Sequence, residues 1–299
     1  MWHWVVQNLV RRQVKEAVYE AASQAVRQQL HDTPEEAEDS DGDQAAEAAV
    51  CDVAVIFATQ SESGGLEDLL EDVRRTKGSS FVVAQGKLGG RRVVIAVSGV
   101  GYDKARQATS AVILGHKPRW VLSAGFAGGL QSALLKGDIV MVNQIVDAAG
   151  KQLTIDLHVD ADELRRHRGL HVGRILSIDR LVPKAREKDS LGQHHDALAV
   201  DMESFVVAEV CRADRIPFLG IRIISDAVED ELPPEMGVLI QQSTPVRRLG
   251  VAFGSLMRRP SVAKDFFRLR EQGLKTSDRL AKFLEGVVAQ LAPHEEMDE

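Results

Sequence analysis

Three acidic residues, Glu62, Glu203 and Asp226, lie where predicted strands end or predicted helices begin. Carboxyl groups of this kind can act as general acids and bases, and their charge can stabilise a developing positive charge. Taken singly, acids in these positions are more often helix caps or helix-end charges than catalytic groups. Three of them at one edge of a parallel sheet are hard to explain as caps, so we predict that they converge on one pocket.

Two glycine-rich segments also follow predicted strands. The first, Ser98–Gly101, leads into a helix that begins near Lys104; its glycines let a ligand approach the backbone, and the helix start favours electron-rich groups. A dinucleotide fingerprint requires glycine where Lys104 stands, which argues against a Rossmann cofactor site, and a plain turn fits the segment equally well. The second segment, Gly125–Gly129, predicts close approach of the backbone to a ligand or to another strand.

The elements that must position these residues are those of an α/β fold. From Val50 onward, short β-branched runs alternate with helical stretches, which predicts a mixed, largely parallel central sheet flanked by helices. Strands are predicted at Val53–Ala58, Phe81–Gln85, Val93–Ser98, Trp120–Ala124, Asp138–Ile145, Val172–Ile178 and Phe218–Ser225. Helices are predicted at Glu62–Arg75, Lys104–Leu114 and Ser204–Arg212, and the chain after Pro234 has a helical pattern.

The chain divides into four predicted regions. Residues 1–30 form an amphipathic helix, 31–50 an acidic linker, 51–230 the α/β domain, and 231–299 a helical C-terminal extension. One hypothesis is that residues 2–18 contact a membrane surface, because Trp2 and Trp4 are followed by basic residues. Docking of this helix on its own domain or on a second subunit is the favoured one.

Composition excludes several classes of protein. The 299 residues carry a formal net charge of −7, which argues against a nucleic-acid binder. Cys51 and Cys211 lack a ligand pattern, which excludes a disulfide framework and a zinc ribbon. His194 and His195 are predicted to be solvated loop residues rather than metal ligands. No secretory signal and no apolar run long enough to span a bilayer is present, so we expect a cytoplasmic protein, at most attached peripherally to a membrane.

The motifs around these residues occur in a familiar order. They are Glu62, SGVG at 98–101, AGFAGGL at 124–130, KGDIV at 136–140, AVDMES at 199–204 and RIISD at 222–226. In type, order and spacing this set resembles the purine nucleoside phosphorylase superfamily, and within it the methylthioadenosine/S-adenosylhomocysteine nucleosidases. The resemblance covers about Val53 to Val228 and implies that residues 51–230 have the nucleoside phosphorylase-like fold.

The resemblance implies a role for each motif residue. A carboxylate in the place of Glu62 activates the attacking water, helped by Ser98 and Arg222. Glu203 binds the ribose hydroxyls while Met202 packs against the sugar. Asp226, oriented by Ser225, protonates N7 of the purine, and we expect it to carry that proton in a dry pocket. The remaining substrate-binding positions implied are Gly128, Leu181 and Val182.

This assignment has a physical reason. Cleavage of a ribose–purine bond leaves an anionic base and develops positive charge on the sugar, so an acid at the base and carboxylates near the sugar both lower the barrier. Water then attacks from the opposite face, as in other glycoside hydrolases. The expected activity is hydrolysis of a 5′-substituted adenine nucleoside to free adenine, with no metal or organic cofactor. Family precedent implies a homodimer.

Other functions remain open because the chain departs from the nucleosidase pattern. The phenylalanine that stacks on adenine is replaced by Leu181, and the first-strand motif Gly-Ala-Met-Glu by Phe57–Gln60. The long helical C-terminus resembles the hopanoid-associated nucleoside phosphorylases, which makes an adenosyl lipid an alternative substrate. A phosphate-dependent purine nucleoside phosphorylase is a further alternative, although an acid at Glu62 repels phosphate. A catalytically idle nucleoside-binding module is disfavoured because a pure binder needs no acid at N7.

Overall fold

The computed structural model describes residues 51–78, 80–157, 168–232 and 261–291. The predicted N-terminal helix, the acidic linker and the first part of the C-terminal region lie outside these residues. The described chain is a mixed α/β fold, as predicted, with helices packed on a central sheet. The boundaries of the four regions remain a prediction.

Seven of the ten described strands follow the predicted apolar runs, and each of the seven is longer than expected. They are β1 Cys51–Phe57, β2 Glu71–Lys77, β3 Val82–Leu88, β4 Arg91–Val97, β5 Pro118–Gly129, β6 Ile139–Asp147, β7 Gln152–Thr154, β8 Leu170–Ser177, β9 Ala199–Asp201 and β10 Phe218–Asp226. β1 is buried along almost its whole length, as its continuous apolar run predicts. β5 is longer than predicted because the glycine segment Gly125–Gly129 continues the strand.

The helices of the described residues are α1 Gln60–Glu67, α2 Tyr102–His116, α3 Ala185–His195, α4 Ser204–Ala213 and α5 Ser261–Leu291. Four of these helices form two packed pairs against the strands, α1 with α5 and α2 with α4. α5 buries Leu280, Leu284 and Val287 in the same core as β1. The described part of the C-terminal region is therefore packed against the domain that it follows.

The pairing of the strands brings the predicted sites together. Within the described residues ten strands form one sheet, in the order β10-β6-β8-β9-β5-β1-β4-β3-β2, with β7 paired to β6. β10 also pairs in parallel with β5, so β10, β6, β8, β9 and β5 close into a ring. β1 lies beside β5 and β4, also in parallel. The loops after β1, β4 and β10 and the glycine-rich end of β5 consequently lie at one edge of the sheet.

Three strands and one helix of the described residues, β2, β7, β9 and α3, were not predicted. The helix expected at Glu62–Arg75 ends at Glu67, and Glu71–Lys77 instead pairs with β3 as an exposed edge strand. Charged residues at the edge of a sheet protect it from pairing with other chains, and the same charges resemble the solvent face of a helix. His194 and His195 lie in the last turn of α3, and not in a loop. Of the described helices, none has the length and apolar character needed to cross a membrane.

Candidate active site

Glu62 is held at the start of α1 by the strand β5 and by its own turn. One carboxylate oxygen, Oε2, accepts the Thr59 N–H at 2.7 Å and the Thr59 hydroxyl at 2.8 Å. The other, Oε1, accepts the Phe126 N–H at 2.9 Å. A Cβ atom at Gly125 would lie 2.7 Å from Oε1, so only glycine lets β5 approach this carboxylate so closely.

The backbone of Glu62 is anchored from the C-terminal helix. The Ser277 hydroxyl in α5 donates to the Glu62 carbonyl oxygen at 3.1 Å and accepts the Gly65 N–H at 3.1 Å. α5 therefore contributes to the position of Glu62 although it lies 215 residues further along the chain.

Burial dominates the electrostatics of Glu62, whose residue is 7 % exposed. Removal from water raises the pKa of this carboxyl above its ordinary value. The hydrogen bonds from Phe126 and Thr59 and the charge of Arg222 oppose this shift and only partly cancel it. A carboxylate with a raised pKa is a better proton acceptor than one in water.

Arg222 is paired with Asp201 rather than with Glu62. Its Nε and one terminal nitrogen donate to Asp201 Oδ2 at 2.9 and 2.6 Å, and both groups are buried. The remaining donors reach the hydroxyls of Ser123 and Ser204 and the carbonyl oxygens of Ser123 and Ile221. Arg222 therefore acts on Glu62 as a nearby charge. Asp201 Oδ1 is buried and has no hydrogen-bond partner in the described structure.

Glu203 connects the first glycine turn to the same site. Its Oε1 accepts the Gly101 N–H at 2.9 Å. Gly101 has a φ of 104°, a backbone conformation that only glycine adopts readily. Burial, followed by the negative charges of Asp201 and Glu62, raises the pKa of Glu203 to about 8. Glu62, Asp201 and Glu203 therefore all lie near a single cation, Arg222.

A small cavity lies between these groups. Its volume is about 10 Å³, which is the space that one ordered water occupies. Four predicted site residues line it: Glu62, Ser98, Glu203 and Arg222. The other lining residues are Ile56, Phe57, Ala58, Ser123, Ala124, Gly125 and Phe126. Ser98 contributes less than expected, because its buried hydroxyl donates to the carbonyl oxygens of Phe57 and Gly99.

Asp226 ends β10, beside a later position of β5, and lies outside the lining of this cavity. It pairs with Gly128, three residues after Gly125, so the two carboxylates contact positions about 10 Å apart on an extended strand. A Cβ at Gly128 would lie 3.2 Å from Asp226 Oδ2, and the Ser225 hydroxyl donates to Oδ1 at 2.6 Å. This places Ser225 and Gly128 beside Asp226, as the motif order predicted.

Asp226 has a charged partner that the sequence did not predict. The buried ammonium of Lys188 donates to Asp226 Oδ2 and forms an ion pair with it. The role of Asp226 as the acid at N7 stays a prediction. Sequence patterns missed Lys188 because nothing in the polar segment around it indicates that its side chain is buried.

The remaining predicted substrate positions surround Asp226 less directly. Val182 is buried in a small secondary core that includes Leu130, Ile178 and Val200, while Leu181 and Met202 are half-buried. The sequence nominates the segment from Thr59 to Glu62 after the first strand but assigns Thr59 no role, although Thr59-x-x-Glu62 has the pattern of a capping box with its helix start at Thr59. In the described part of the chain no cluster of three His, Cys, Asp or Glu residues could hold a metal ion.

Comparison with known proteins matches these features to a family. The family model described as Phosphorylase superfamily matches residues 52–243. The chain belongs to this superfamily. Among its curated relatives, the 5′-methylthioadenosine/S-adenosylhomocysteine nucleosidase of Actinobacillus succinogenes is 30 % identical over 200 residues, covering 60 % of this chain and 87 % of the relative. The enzyme of the same name from Staphylococcus haemolyticus is 26 % identical over 195 residues, covering 58 % and 86 %.

Solved structures of the superfamily share the fold. The 5′-methylthioadenosine/S-adenosylhomocysteine nucleosidase of Neisseria meningitidis, in complex with methylthio-immucillin-A, superposes with a TM-score of 0.59 at 24 % identity, covering 79 % of this chain and 97 % of that one. The futalosine hydrolase of Helicobacter pylori gives a TM-score of 0.60 at 21 % identity, covering 81 % and 98 %. At this level of identity the superposition establishes the fold alone.

Proposed function

We propose that this protein hydrolyses the N-glycosidic bond of a 5′-substituted adenine nucleoside and releases adenine. The observation that carries the proposal is the buried Glu62 carboxylate beside a cavity of about 10 Å³, with Asp226 of β10 beside the same strand, β5, three positions further along. The curated relatives, one of them 30 % identical over most of its length, are named as nucleosidases of this class.

The proposed reaction uses the two ends of this site in different ways. Glu62 accepts a proton from water as the water attacks C1′ of the ribose. Glu203 binds the ribose hydroxyls beside Met202, and the acids around the sugar stabilise the positive charge that develops there. The electron pair of the broken bond passes to the purine, which receives a proton at N7 from Asp226, oriented by Ser225. Gly128, Leu181 and Val182 contact the base in this assignment.

Water is a better nucleophile for this site than phosphate. Arg222 is the one cation among the described residues that line the cavity, and its donors already bind Asp201, Ser123 and Ser204. Phosphate binding requires donors that can turn to the anion, and the Glu62 carboxylate, which must be ionised to accept a proton from water, repels it. We therefore favour hydrolysis over phosphorolysis.

The test is chromatography of adenine released from a panel of nucleosides by the full chain. The panel contains methylthioadenosine, S-adenosylhomocysteine, 5′-deoxyadenosine and an adenosine with a long 5′-alkyl chain, each with and without phosphate. We expect release without phosphate, and a loss of about 10²–10⁴-fold in kcat/KM in Glu62→Gln. Release that requires phosphate would contradict hydrolysis. Preference for the alkyl substrate would favour the adenosyl-lipid alternative.

The proposal includes a homodimer and a cytoplasmic location. Light scattering after size-exclusion chromatography measures the dimer, and sedimentation with anionic vesicles measures membrane contact through residues 2–18. A monomer with full activity would contradict the dimer. Vesicle binding that persists when Trp2 and Trp4 are both replaced by serine would contradict the membrane role of that segment.

A further inference from the structure

The side chain of Lys188 is completely buried, with 0 % of the residue exposed. It lies in α3, a helix whose other lysine neighbour, Lys184 at the N-cap, is exposed. The ammonium donates to Asp226 Oδ2 and, at 3.0 Å each, to the carbonyl oxygens of Ala227 and Asp230. All three of its donors therefore have acceptors, and all the acceptors come from the end of β10 and the turn that follows.

A fully buried lysine calls for a reason beyond folding. Lysine is almost never completely buried unless it is paired, and replacing a buried ion pair with apolar groups is often neutral or stabilising. The partner in this case is the residue assigned to protonate the purine. Asp226 receives one donor on each oxygen, from Ser225 and from Lys188, and a carboxylate with two donors keeps further acceptor capacity.

We propose that Lys188 is a positioning residue for departure of the purine: it orients Asp226 and supplies, through Asp226, the proton that N7 receives. This inference rests on the proposed function, and it identifies the source of the proton that the departing purine receives. The ion pair directs an ammonium N–H of Lys188 at Asp226 Oδ2 in the free protein. Lys188 is the charged donor that Asp226 contacts, beside the Ser225 hydroxyl on its other oxygen.

The proposed step conserves protons and electrons. The C1′–N9 bond breaks, and its electron pair goes to the purine. One proton moves from Lys188 Nζ to Asp226 Oδ2, and Asp226 gives a proton to N7, so the base leaves as neutral adenine and Asp226 returns to its carboxylate. The attacking water loses a proton to Glu62 and becomes the hydroxyl on C1′. Solvent then takes the proton from Glu62 and returns one to Lys188.

Burial makes this transfer feasible. Removal from water disfavours the charged form of both an amine and a carboxyl, so a neutral amine beside a neutral acid costs less in the interior than at the surface. The carbonyl oxygens of Ala227 and Asp230 hold Nζ in place beside Asp226 during the transfer. Asp230 itself is occupied elsewhere, since its carboxylate binds Lys136 and the Ala227 N–H.

The experiment compares two leaving groups in Lys188→Gln, with Lys184→Gln as the matched control on the same helix. One substrate is methylthioadenosine, whose base needs a proton. The other is 4-nitrophenyl 5-methylthio-β-ribofuranoside, whose nitrophenolate leaves without one. We expect K188Q to lose about 10²-fold or more in kcat on the adenine substrate, with KM within about threefold, and to keep its rate on the nitrophenyl substrate. K184Q keeps both rates.

Equal losses on both substrates would overturn the proposal, because a distorted site impairs every leaving group. If K188Q retained the wild-type rate on each substrate, that result would overturn the proposal as well. Should wild type not cleave the nitrophenyl compound, the double variant K188Q/D226N decides: it is expected to be no slower on methylthioadenosine than D226N, and additive losses contradict a role through Asp226. Thermal unfolding of each variant confirms that it folds. Absence of adenine release by wild type would instead contradict the proposed function.

Discussion

Glu62 and Asp226 are buried to nearly the same extent, but the groups that donate hydrogen bonds to them differ in charge. Glu62 lies shortly after the buried strand β1 and Asp226 at the end of the buried strand β10, and they are 7 % and 6 % exposed. Glu62 accepts hydrogen bonds only from uncharged donors, Thr59 and Phe126, so burial prevails and raises its pKa. Asp226 accepts one from an ammonium ion, that of Lys188. Two buried carboxyl groups in one protein are therefore suited to different proton-transfer roles by the groups that touch them.

The same contrast extends to their surroundings. Around Glu62, Asp201 and Glu203 lie near one arginine, so acidic groups outnumber cations where the sugar is assigned. Around Asp226, one lysine pairs with one aspartate. A surplus of acidic groups suits a cationic transition state, while a matched pair suits delivery of a proton to the base.

The largest expected effect is that of Asp226→Asn. The asparagine amide cannot pass a proton to N7, so we expect kcat on methylthioadenosine to fall by about 10²–10⁴-fold. It also leaves the buried Lys188 without a counter-charge, which is expected to cost about 3–5 kcal/mol of stability. Chromatography of adenine and urea unfolding measure the two effects. Wild-type turnover in D226N would show that Asp226 is not the acid.

Gly125→Ala tests the Glu62 side of the comparison. The added methyl lies 2.7 Å from Oε1 and must displace the carboxylate. We expect a loss of about 10²-fold in kcat/KM, since displacements of 1 Å in an active site have effects of this size. Gly64→Ala in α1 is the control, because a Cβ there meets nothing within 4 Å. Equal activity of the two variants would contradict the positioning of Glu62 by β5.

Thr59→Val removes one hydrogen bond to Glu62 and keeps the shape of the side chain. The hydroxyl lowers the pKa of Glu62, so its loss raises that pKa further. The acidic limb of the kcat/KM profile is expected to move to higher pH, with a loss of about tenfold below the new pKa and less above it. Thr59→Ser keeps the donor and should retain the wild-type profile. An unchanged profile in T59V would mean that Glu62 does not limit that limb.

The last expected effect is a change in how the free energy of unfolding depends on pH. Burial and nearby negative charge raise the folded-state pKa of Glu203 from its ordinary value of 4.5 to about 8, so between these values the folded state binds more protons than the unfolded state. Stability is therefore expected to fall as pH rises from 4.5 to 8. Glu203→Gln removes this contribution and should flatten the dependence, as urea unfolding at several pH values will measure. Glu62, whose pKa is also raised, contributes in the same direction and should leave a residual slope.

Local patterns predicted much of the fold. The apolar runs of β1 and β10 mark buried strands, and the order of acids and glycines after them predicted which loops share an edge. The error at Glu71–Lys77 arose because exposed charges occur on both helices and edge strands, and only pairing with β3 distinguishes them. The four residues around the cavity were predicted from their motifs, whereas the neighbours that set their charge were not.

The sequence alone specified the α/β class, the family and the acids, because strand patterning and motif spacing are properties of neighbouring residues. Tertiary structure decided the charge environment of each acid. The ammonium that binds Asp226 comes from 38 residues away, the hydroxyl that anchors Glu62 from 215, and the room beside Glu62 from a glycine on another strand. Protonation depends on burial and on charges a few ångströms away, and these distances exist only once the chain has folded.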